Sequence, residues 1–365
     1  MYVSPWYSAS DSVFLTLSQP NKHPVDSWNE SLCRKTVMAA IGQEIPFDVL
    51  SYRPWILSRK IAKQYHQGNI FLAGDAAHSF PPTGGLGLNS GLADVHALAY
   101  RLALVHRGVA APKCLNSYGA ERRPVAEVNS RQSVKNGHKI FRLLASLGIA
   151  GAADVEEARQ HMFETLNDPE RRKVIDQEIE AQREHFDNLE LHIGYVYGSP
   201  EVPLHASHYT PKYVVGARLP HVWVKPTSAL RARLSLPQPV DVSYVHELRH
   251  DEVELRRYSS LDLCAHDAFT LIAGHGRWST VVDGLGSARL WPGSMYALPK
   301  VNVVRLDEDF ALLSGPTAEA WVQGCGLGMG EALLIRPDQH VLARLRPDAT
   351  CEHLAAVLKQ HLGWI

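Results

Sequence analysis

Asp75 follows Gly74 at the end of a short apolar run, Ile70-Phe71-Leu72-Ala73, and Gly84-Gly85-Leu86-Gly87 comes soon after it. A carboxylate accepts hydrogen bonds from hydroxyl groups. A helix that starts on glycines offers free N–H groups and the positive end of its dipole. Together they form a cradle for an electron-rich ligand. Between them, Pro81 and Pro82 fix two φ angles and remove two donors. The alternative is structural: Asp75 caps a turn and the glycines only pack.

The elements that must position these residues follow from pattern. Ile70 to Ala73 has the length and content of a buried strand, which Gly74-Asp75 closes. Ala76 to Thr83 reads as a turn. After the glycines, Leu88, Leu92, Val95, Leu98, Ala99 and Leu102 recur at a helical period.

From Asn69 to Leu104 the chain resembles the second FAD-binding motif, the GD motif, of the flavin-dependent aromatic hydroxylases. The likeness runs through GDAAH, PPTGG-GLN and a G-x-x-D helix, with GNIFLA just ahead. The resemblance implies that Asp75 bonds the ribityl chain of FAD and that Pro81 and Pro82 lie beside the isoalloxazine ring. It also implies that the N–H groups of Leu88 and Asn89 face the flavin pyrimidine carbonyl. Gly85 and Gly87 complete the expected cofactor-binding set. His78, within GDAAH, is expected to be a structural hydrogen-bonding residue of the turn, since the flavin carries the chemistry in this family.

Composition narrows the field. A chain of 365 residues is long enough for two domains. With 37 basic and 38 acidic residues, net charge −1, no polyanion partner is implied, so nucleic acid is not expected. No run of apolar residues is long enough to span a membrane. Met1 to Pro20 lacks the pattern of a signal peptide. Five cysteines, Cys33, Cys114, Cys264, Cys325 and Cys351, stand singly without CxxC spacing, which fits a reducing compartment. A cytoplasmic globular protein is the expectation.

In chain order, Ser12 to Leu17 reads as a strand and Pro20 to Pro24 as a turn. Asp26 to Ile41 reads as a helix with Trp28, Leu32, Val37 and Ala40 inward, and Ile45 to Trp55 as extended. Ile61 to Tyr65 is expected to be a short helix. Pro112 to Ala145 contains Tyr118, Glu121, Arg122, Arg123, Pro124 and Val125, resembling the family's Y-x-x-E-R-R-P-V helix that docks against the FAD domain. Arg122 or Arg123 could pair with Glu121 or a flavin phosphate, or form a structural ion pair on the helix. Asp154 to Leu189 is helical, broken at Asp168-Pro169, with charges alternating in sign as on an exposed face.

A domain boundary is expected near Ser199-Pro200. Beyond it, strand-like runs at Val240–Val245, Val253–Leu255, Ala268–Ala273, Ser287–Leu290, Val301–Val304 and Ala332–Arg336 alternate with helical stretches. Those stretches are Trp278–Gly284, Thr317–Gln323 and Cys351–Leu362. GARLPHVWV, SSLDLCAHDAFTLIAG and ALLIRPDQHVLAR resemble the thioredoxin-like C-terminal domain of the phenol hydroxylase branch, which includes 2,4-dichlorophenol 6-monooxygenases and polyketide hydroxylases. That domain is structural in the family and often lies near a homodimer contact. The expected fold is therefore α/β (α+β). Residues 1–55 would be the tail of a substrate-binding sheet, 56–198 the later part of a FAD-binding domain, and 199–365 a thioredoxin-like domain without thiol–disulfide chemistry.

Two further motifs lead elsewhere. His246-Glu247-Leu248-Arg249-His250 spells the zinc-hydrolase H-E-x-x-H, but that chemistry needs a helix, and the flanking alternation of Val242, Tyr244, Val253 and Leu255 reads as a hairpin. Gly324 to Gly330 has dinucleotide-like glycine spacing but precedes a strand instead of following one. No G-x-G-x-x-G opens the chain, and the family's central motif is missing. By resemblance the chain is the carboxyl-terminal part of an ordinary member, lacking roughly the first third to two fifths, as a truncated relative or through a misplaced start. The activity implied is hydroxylation of a phenolic or polyketide-derived ring, usually ortho to the hydroxyl, with FAD, NAD(P)H and O₂. The competing expectation is a non-catalytic remnant acting as an interaction or dimerisation module.

Overall fold

The computed structural model describes residues 2–5, 12–15, 27–53, 57–149, 152–199, 201–236, 258–274, 276–286 and 297–365. The turn at 20–24, the strands at 240–245, 253–255 and 287–290 and the H-E-x-x-H segment lie outside them. The chain divides into two units, Met1–Leu57 and Ser58–Ile365.

In the first unit β1 (Tyr2–Pro5) pairs antiparallel with β2 (Ser12–Leu15). Helix α1 (Glu30–Ile41) starts where the Asn29 side chain accepts the Leu32 amide, and it ends at Gly42 with φ 82°. No residue of this helix is fully buried, and of its expected inner face Ala40 is exposed. Residues 45–53 carry no regular structure.

The second unit opens with two small ladders. β3 (Lys60–Ile61) and β6 (His78–Ser79) pair antiparallel, as do β4 (His66–Gln67) and β5 (Ile70–Phe71). The helix expected at Ile61–Tyr65 does not form: Ile61 pairs in β3 and residues 62–65 carry no regular structure, since five residues without a cap do not nucleate a helix. The buried strand expected at 70–73 shrinks to two residues of a tight hairpin through Gly68, φ 57°, and Ile70 is 71% exposed. Leu72 N on Tyr65 O at 2.8 Å carries the same register one residue further, and the Leu72 carbonyl accepts the Tyr118 hydroxyl at 2.7 Å.

Two long helices follow, α2 (Leu86–His106) and α3 (Asn116–Ser146), the latter carrying Pro124 within it. Then come α4 (Val155–Asn167), α5 (Pro169–Glu180), α6 (Arg183–Phe186) and α7 (Leu189–Ile193). Asp168 caps α5 by accepting from Glu170 N, and Pro169 takes the first helical position, so the break expected there is a capped junction.

The remaining elements are β7 (Trp223–Pro226), α8 (Ser228–Leu234), β8 (Tyr258–Ser259), β9 (Phe269–Ala273), α9 (Arg277–Asp283), β10 (Val301–Arg305), β11 (Phe310–Leu312), α10 (Pro316–Cys325), β12 (Ala332–Ile335), β13 (Val341–Leu345) and α11 (Cys351–His361). Four strands form a mixed sheet in the order β10-β9-β12-β13, parallel only between β10 and β9. A three-stranded sheet has the order β11-β7-β8.

Alternation along the strands feeds two cores. Phe269, Leu271, Ala332 and Leu334 pack with Leu354 and Leu358 of α11 and with Tyr100 and Leu104 of α2. Ile272, Leu333 and Ile335 pack on the other side with Leu230, Phe310 and Trp321. The Tyr100 end of α2 is thus seated in the mixed sheet, while its start joins Tyr65, Phe80, Leu86 and Tyr118 in a third cluster. The Gly324–Gly330 stretch is a helix end and a 3₁₀ turn entering β12, with Gly326 at φ 71°.

Helix α2 buries a different face from the one its apolar period indicates. Leu88, Leu92, Val95 and Leu102 are 75%, 61%, 54% and 39% exposed. Ser90, Asp94 and Arg101 are buried together with Leu86, Ala97, Leu98, Tyr100 and Leu104. Polar residues can occupy an inner face when every charge finds a partner there.

Candidate functional site

The Asp75 turn begins at Gly74, φ 56°, and runs as a 3₁₀ turn over Gly74–Ala76 closed by Ala77 N on Gly74 O at 2.8 Å. Its backbone lies directly on α2. A Cβ built on Gly91 would sit 3.1 Å from Gly74 Cα, closer than side chains normally come. This contact sets the exposed Asp75 beside the second turn of α2.

The loop from Pro81 to Gly85 is tied to α3 and to the start of α7. Ser133 Oγ donates to Pro81 O and Thr83 Oγ1 to Ser133 O, both at 2.5 Å, and Asn188 Nδ2 donates to Gly84 O at 2.9 Å. Gly84, φ 103°, has no room for a side chain, since a Cβ there would meet Asn136 Nδ2 at 2.8 Å. Pro81 is half-buried and Pro82 exposed.

Gly85, φ 65°, is the N-cap of α2 and supplies no side-chain cap. A Cβ at Gly85 or at Gly87 would meet nothing within 4 Å, so the backbone there is open to a ligand. Leu88 is the third helical residue, and its N–H has no intrahelical acceptor. Asn89 is the fourth, the first whose N–H has the Gly85 carbonyl four residues behind it, and its Nδ2 also donates to that carbonyl at 2.9 Å. Of these two amides, that of Leu88 is the free donor.

Asp94 fixes this arrangement from below. Its Oδ2 accepts from Gly74 N at 3.2 Å and lies 2.7 Å from His78 Nε2, and its Oδ1 accepts from Arg122 Nε at 2.7 Å. Arg122 also donates to Ser90 O at 3.2 Å. Burial alone would raise the Asp94 carboxyl, but the His78 hydrogen bond and the Arg122 guanidinium outweigh it and hold the group below the ordinary carboxylate range. His78 is the structural residue expected of it. Arg122 pairs with Asp94 and not with Glu121. Glu121 accepts from Arg101, and from Arg336 at 2.8 and 2.9 Å, while Arg123 pairs with Glu127 at 3.0 Å.

Sequence reasoning gave Asp94 no role. The available signal was the acid that ends the G-x-x-D step of the helix, Gly91 to Asp94. Among the described residues no group of three or more His, Cys, Asp or Glu is placed to hold a metal ion. No described helix is long and apolar enough to cross a membrane.

An exposed carboxylate, a free helix-start amide and two glycines without neighbours offer the acceptor, donor and open backbone that a polar, electron-rich cofactor requires. A family model described as FAD binding domain matches residues 1–133. The chain is 27% identical over 350 residues to 2,4-dichlorophenol 6-monooxygenase of Cupriavidus pinatubonensis, covering 92% of this chain and 53% of that one. It is 28% identical over 358 residues to tetracenomycin A2 monooxygenase-dioxygenase of Streptomyces glaucescens, covering 96% of this chain and 52% of that one. The crystal structure of the flavin-dependent monooxygenase PieE in complex with FAD and substrate superposes with TM-score 0.70 at 24% identity, over 92% of this chain and 55% of that one. This chain spans about half the length of the curated relatives it matches. The matched FAD binding domain and the relatives make this chain similar to FAD-dependent aromatic-ring monooxygenases, and the superposition shows that it shares the fold of one.

Proposed function

We propose that this protein serves an FAD-dependent monooxygenase that hydroxylates a phenolic or polyketide-derived aromatic ring, with NAD(P)H as reductant and O₂ as oxidant. The observation that carries this reading is the exposed Asp75 held against the second turn of α2, whose start presents an open amide at Leu88. Names of relatives support the substrate class: a dichlorophenol monooxygenase and tetracenomycin monooxygenase-dioxygenases.

FAD when bound supplies the redox and oxygen chemistry. Asp75 accepts hydrogen bonds from its sugar-alcohol chain. The Leu88 amide, with the helix dipole behind it, stabilises negative charge at the ring carbonyl, and Asn89 extends the same edge. Pro81 and Pro82 form an apolar wall beside the ring, and Gly85 and Gly87 let it come close to the backbone. In this reading residues 56–198 serve the flavin, and 199–365 form a thioredoxin-like structural domain near a homodimer contact, the whole acting in the cytoplasm. The mixed four-stranded sheet supports the domain assignment.

A second reading, a folded interaction module without turnover, draws support from the exposed apolar stripe Leu88, Leu92, Val95 and Leu102. Purification with added FAD separates the two. Retained flavin that is lost in Asp75→Ala supports the monooxygenase reading; a colourless wild-type chain that fails to quench FAD fluorescence overturns it.

A further inference from the structure

A cavity of about 320 Å³ opens between α2, the end of α7 with the residues after it, and the β12–β13 turn, and none of the flavin-cradle residues lines it. Its walls include Leu92, His96, Tyr197, Arg218, Asp338 and His340. The volume lies at the small end of the range for ligand pockets, about 300–1,000 Å³.

Arg218 and His340 sit directly opposite each other in an antiparallel bridge, flanked by Leu219 N on Gln339 O and Val341 N on Ala217 O, both at 2.8 Å. Directly opposed residues of an antiparallel pair project to the same face. The single hydrogen bond of the Arg218 guanidinium among the described residues goes from its NH2 to Gln339 Oε1 at 2.9 Å, which leaves donors for a ligand.

His340 is 4% exposed, and its Nδ1 lies 2.9 Å from the Asp338 carbonyl. A carbonyl only accepts, so Nδ1 carries the proton. Burial disfavours the charged ring and pushes its pKa down, leaving Nε2 as a lone-pair acceptor. That Nε2 has no hydrogen-bond partner among the described residues. A buried acceptor left unmade is costly unless a donor reaches it.

The charge balance favours an anion. Asp338 also lines the cavity, but its Oδ1 accepts Arg336 Nε at 2.9 Å and its Oδ2 accepts Arg336 NH2 at 2.5 Å, with Arg101 NH1 3.8 Å away. Arg336 also bonds Glu121. The cluster therefore sets three guanidiniums, Arg101, Arg218 and Arg336, against two carboxylates, Glu121 and Asp338, and Arg218 is the one that makes no ion pair with either. Aromatic surface completes the walls: the Tyr197 ring stacks on His340 with centroids 4.3 Å apart, and the Tyr195 ring lies 5.6 Å from His340.

We propose that this cavity binds a small planar aromatic acid carrying a hydroxyl group, with the carboxylate on Arg218 and the hydroxyl donating to His340 Nε2. The site is separate from the flavin cradle and does not depend on the monooxygenase reading.

The test uses the full chain without flavin, titrated calorimetrically with 4-hydroxybenzoate, benzoate and cyclohexanecarboxylate. One saturable site is expected, with 4-hydroxybenzoate tightest and cyclohexanecarboxylate weakest. Arg218→Gln should weaken all three by about tenfold or more, the value of a charge-assisted hydrogen bond. His340→Phe keeps the ring and removes the acceptor, so it should abolish the preference for 4-hydroxybenzoate over benzoate. Asp75→Ala should leave binding unchanged. Absence of binding up to about 10 mM, weaker than any useful affinity, overturns the proposal. So does wild-type binding by Arg218→Gln, or loss of binding in Asp75→Ala, which would put the acid in the flavin cradle.

Discussion

Arg122 Nε and Asp94 Oδ1 meet at 2.7 Å with the two side chains 1% and 0% exposed. The pair joins α3 to α2, and the other Asp94 oxygen holds Gly74 N and His78. One buried carboxylate thus fixes the backbone from which Asp75 projects. A charge this deep is tolerated only when paired, and it is most damaging when its partner alone is removed.

Asp94→Ala should therefore destabilise the protein by about 3–5 kcal/mol, because Arg122 is left as a buried, unpaired charge. The double variant Asp94→Leu/Arg122→Met should recover much of that loss. Urea midpoints for the three proteins check both statements, and equal losses in the single and double variants would refute them.

Gly91→Ala separates stability from site geometry. Alanine gains about 1 kcal/mol of helix propensity, while the clash with Gly74 Cα at 3.1 Å costs about 1–3 kcal/mol. The net change in unfolding free energy should be small. The turn bearing Asp75 must nonetheless move away from α2, so FAD affinity should fall more than stability does. A flavin fluorescence titration beside a thermal melt reads both.

Asp75→Ala removes an exposed side chain and should leave stability within about 0.5 kcal/mol. FAD binding should weaken by at least about tenfold, the worth of a charge-assisted hydrogen bond. Leu88→Pro deletes the free amide in the first turn, where proline is tolerated, and should weaken FAD further than Leu88→Ala.

Glu184 gives a pH signature remote from the cradle. Burial by itself raises its carboxyl, but hydrogen bonds from Lys135, Lys139 and the Ala206 amide overcome that and bring it down to about 2 from 4.5. A depressed folded pKa contributes stability above the unfolded value and loses it as pH falls through the folded one. The contribution should thus disappear between about pH 4.5 and about pH 2. Urea midpoints across that window should slope less in Glu184→Gln than in wild type.

The local chemistry of the chain was legible from residue order alone. Gly74-Asp75, the proline pair and the glycines before Leu86 mark a turn and a helix start, because glycine and proline restrict backbone wherever they stand. Asp168-Pro169 is a cap and a first helical residue in the structure as in the sequence. Strands β9, β10 and β12 and helices α9, α10 and α11 fall where short apolar runs and helical periods place them.

Other features depend on partners distant in sequence. Ile61 joins a strand because His78 lies opposite it, and the run from Ile70 pairs only with the short segment ending at Gln67 while Tyr118 bonds the Leu72 carbonyl. Helix α2 turns Leu88, Leu92 and Leu102 outward because Asp94 and Arg101 find Arg122, Glu121 and Asp338 on the inside. Periodicity measures which residues share a face; only assembled tertiary contacts decide which face is covered. Sequence by itself determined that a carboxylate and a glycine-led helix start stand close along the chain. The tertiary structure decided that Asp94 and Gly91 lock them together, and it alone set Arg218 opposite His340 across a bridge between segments far apart in the chain.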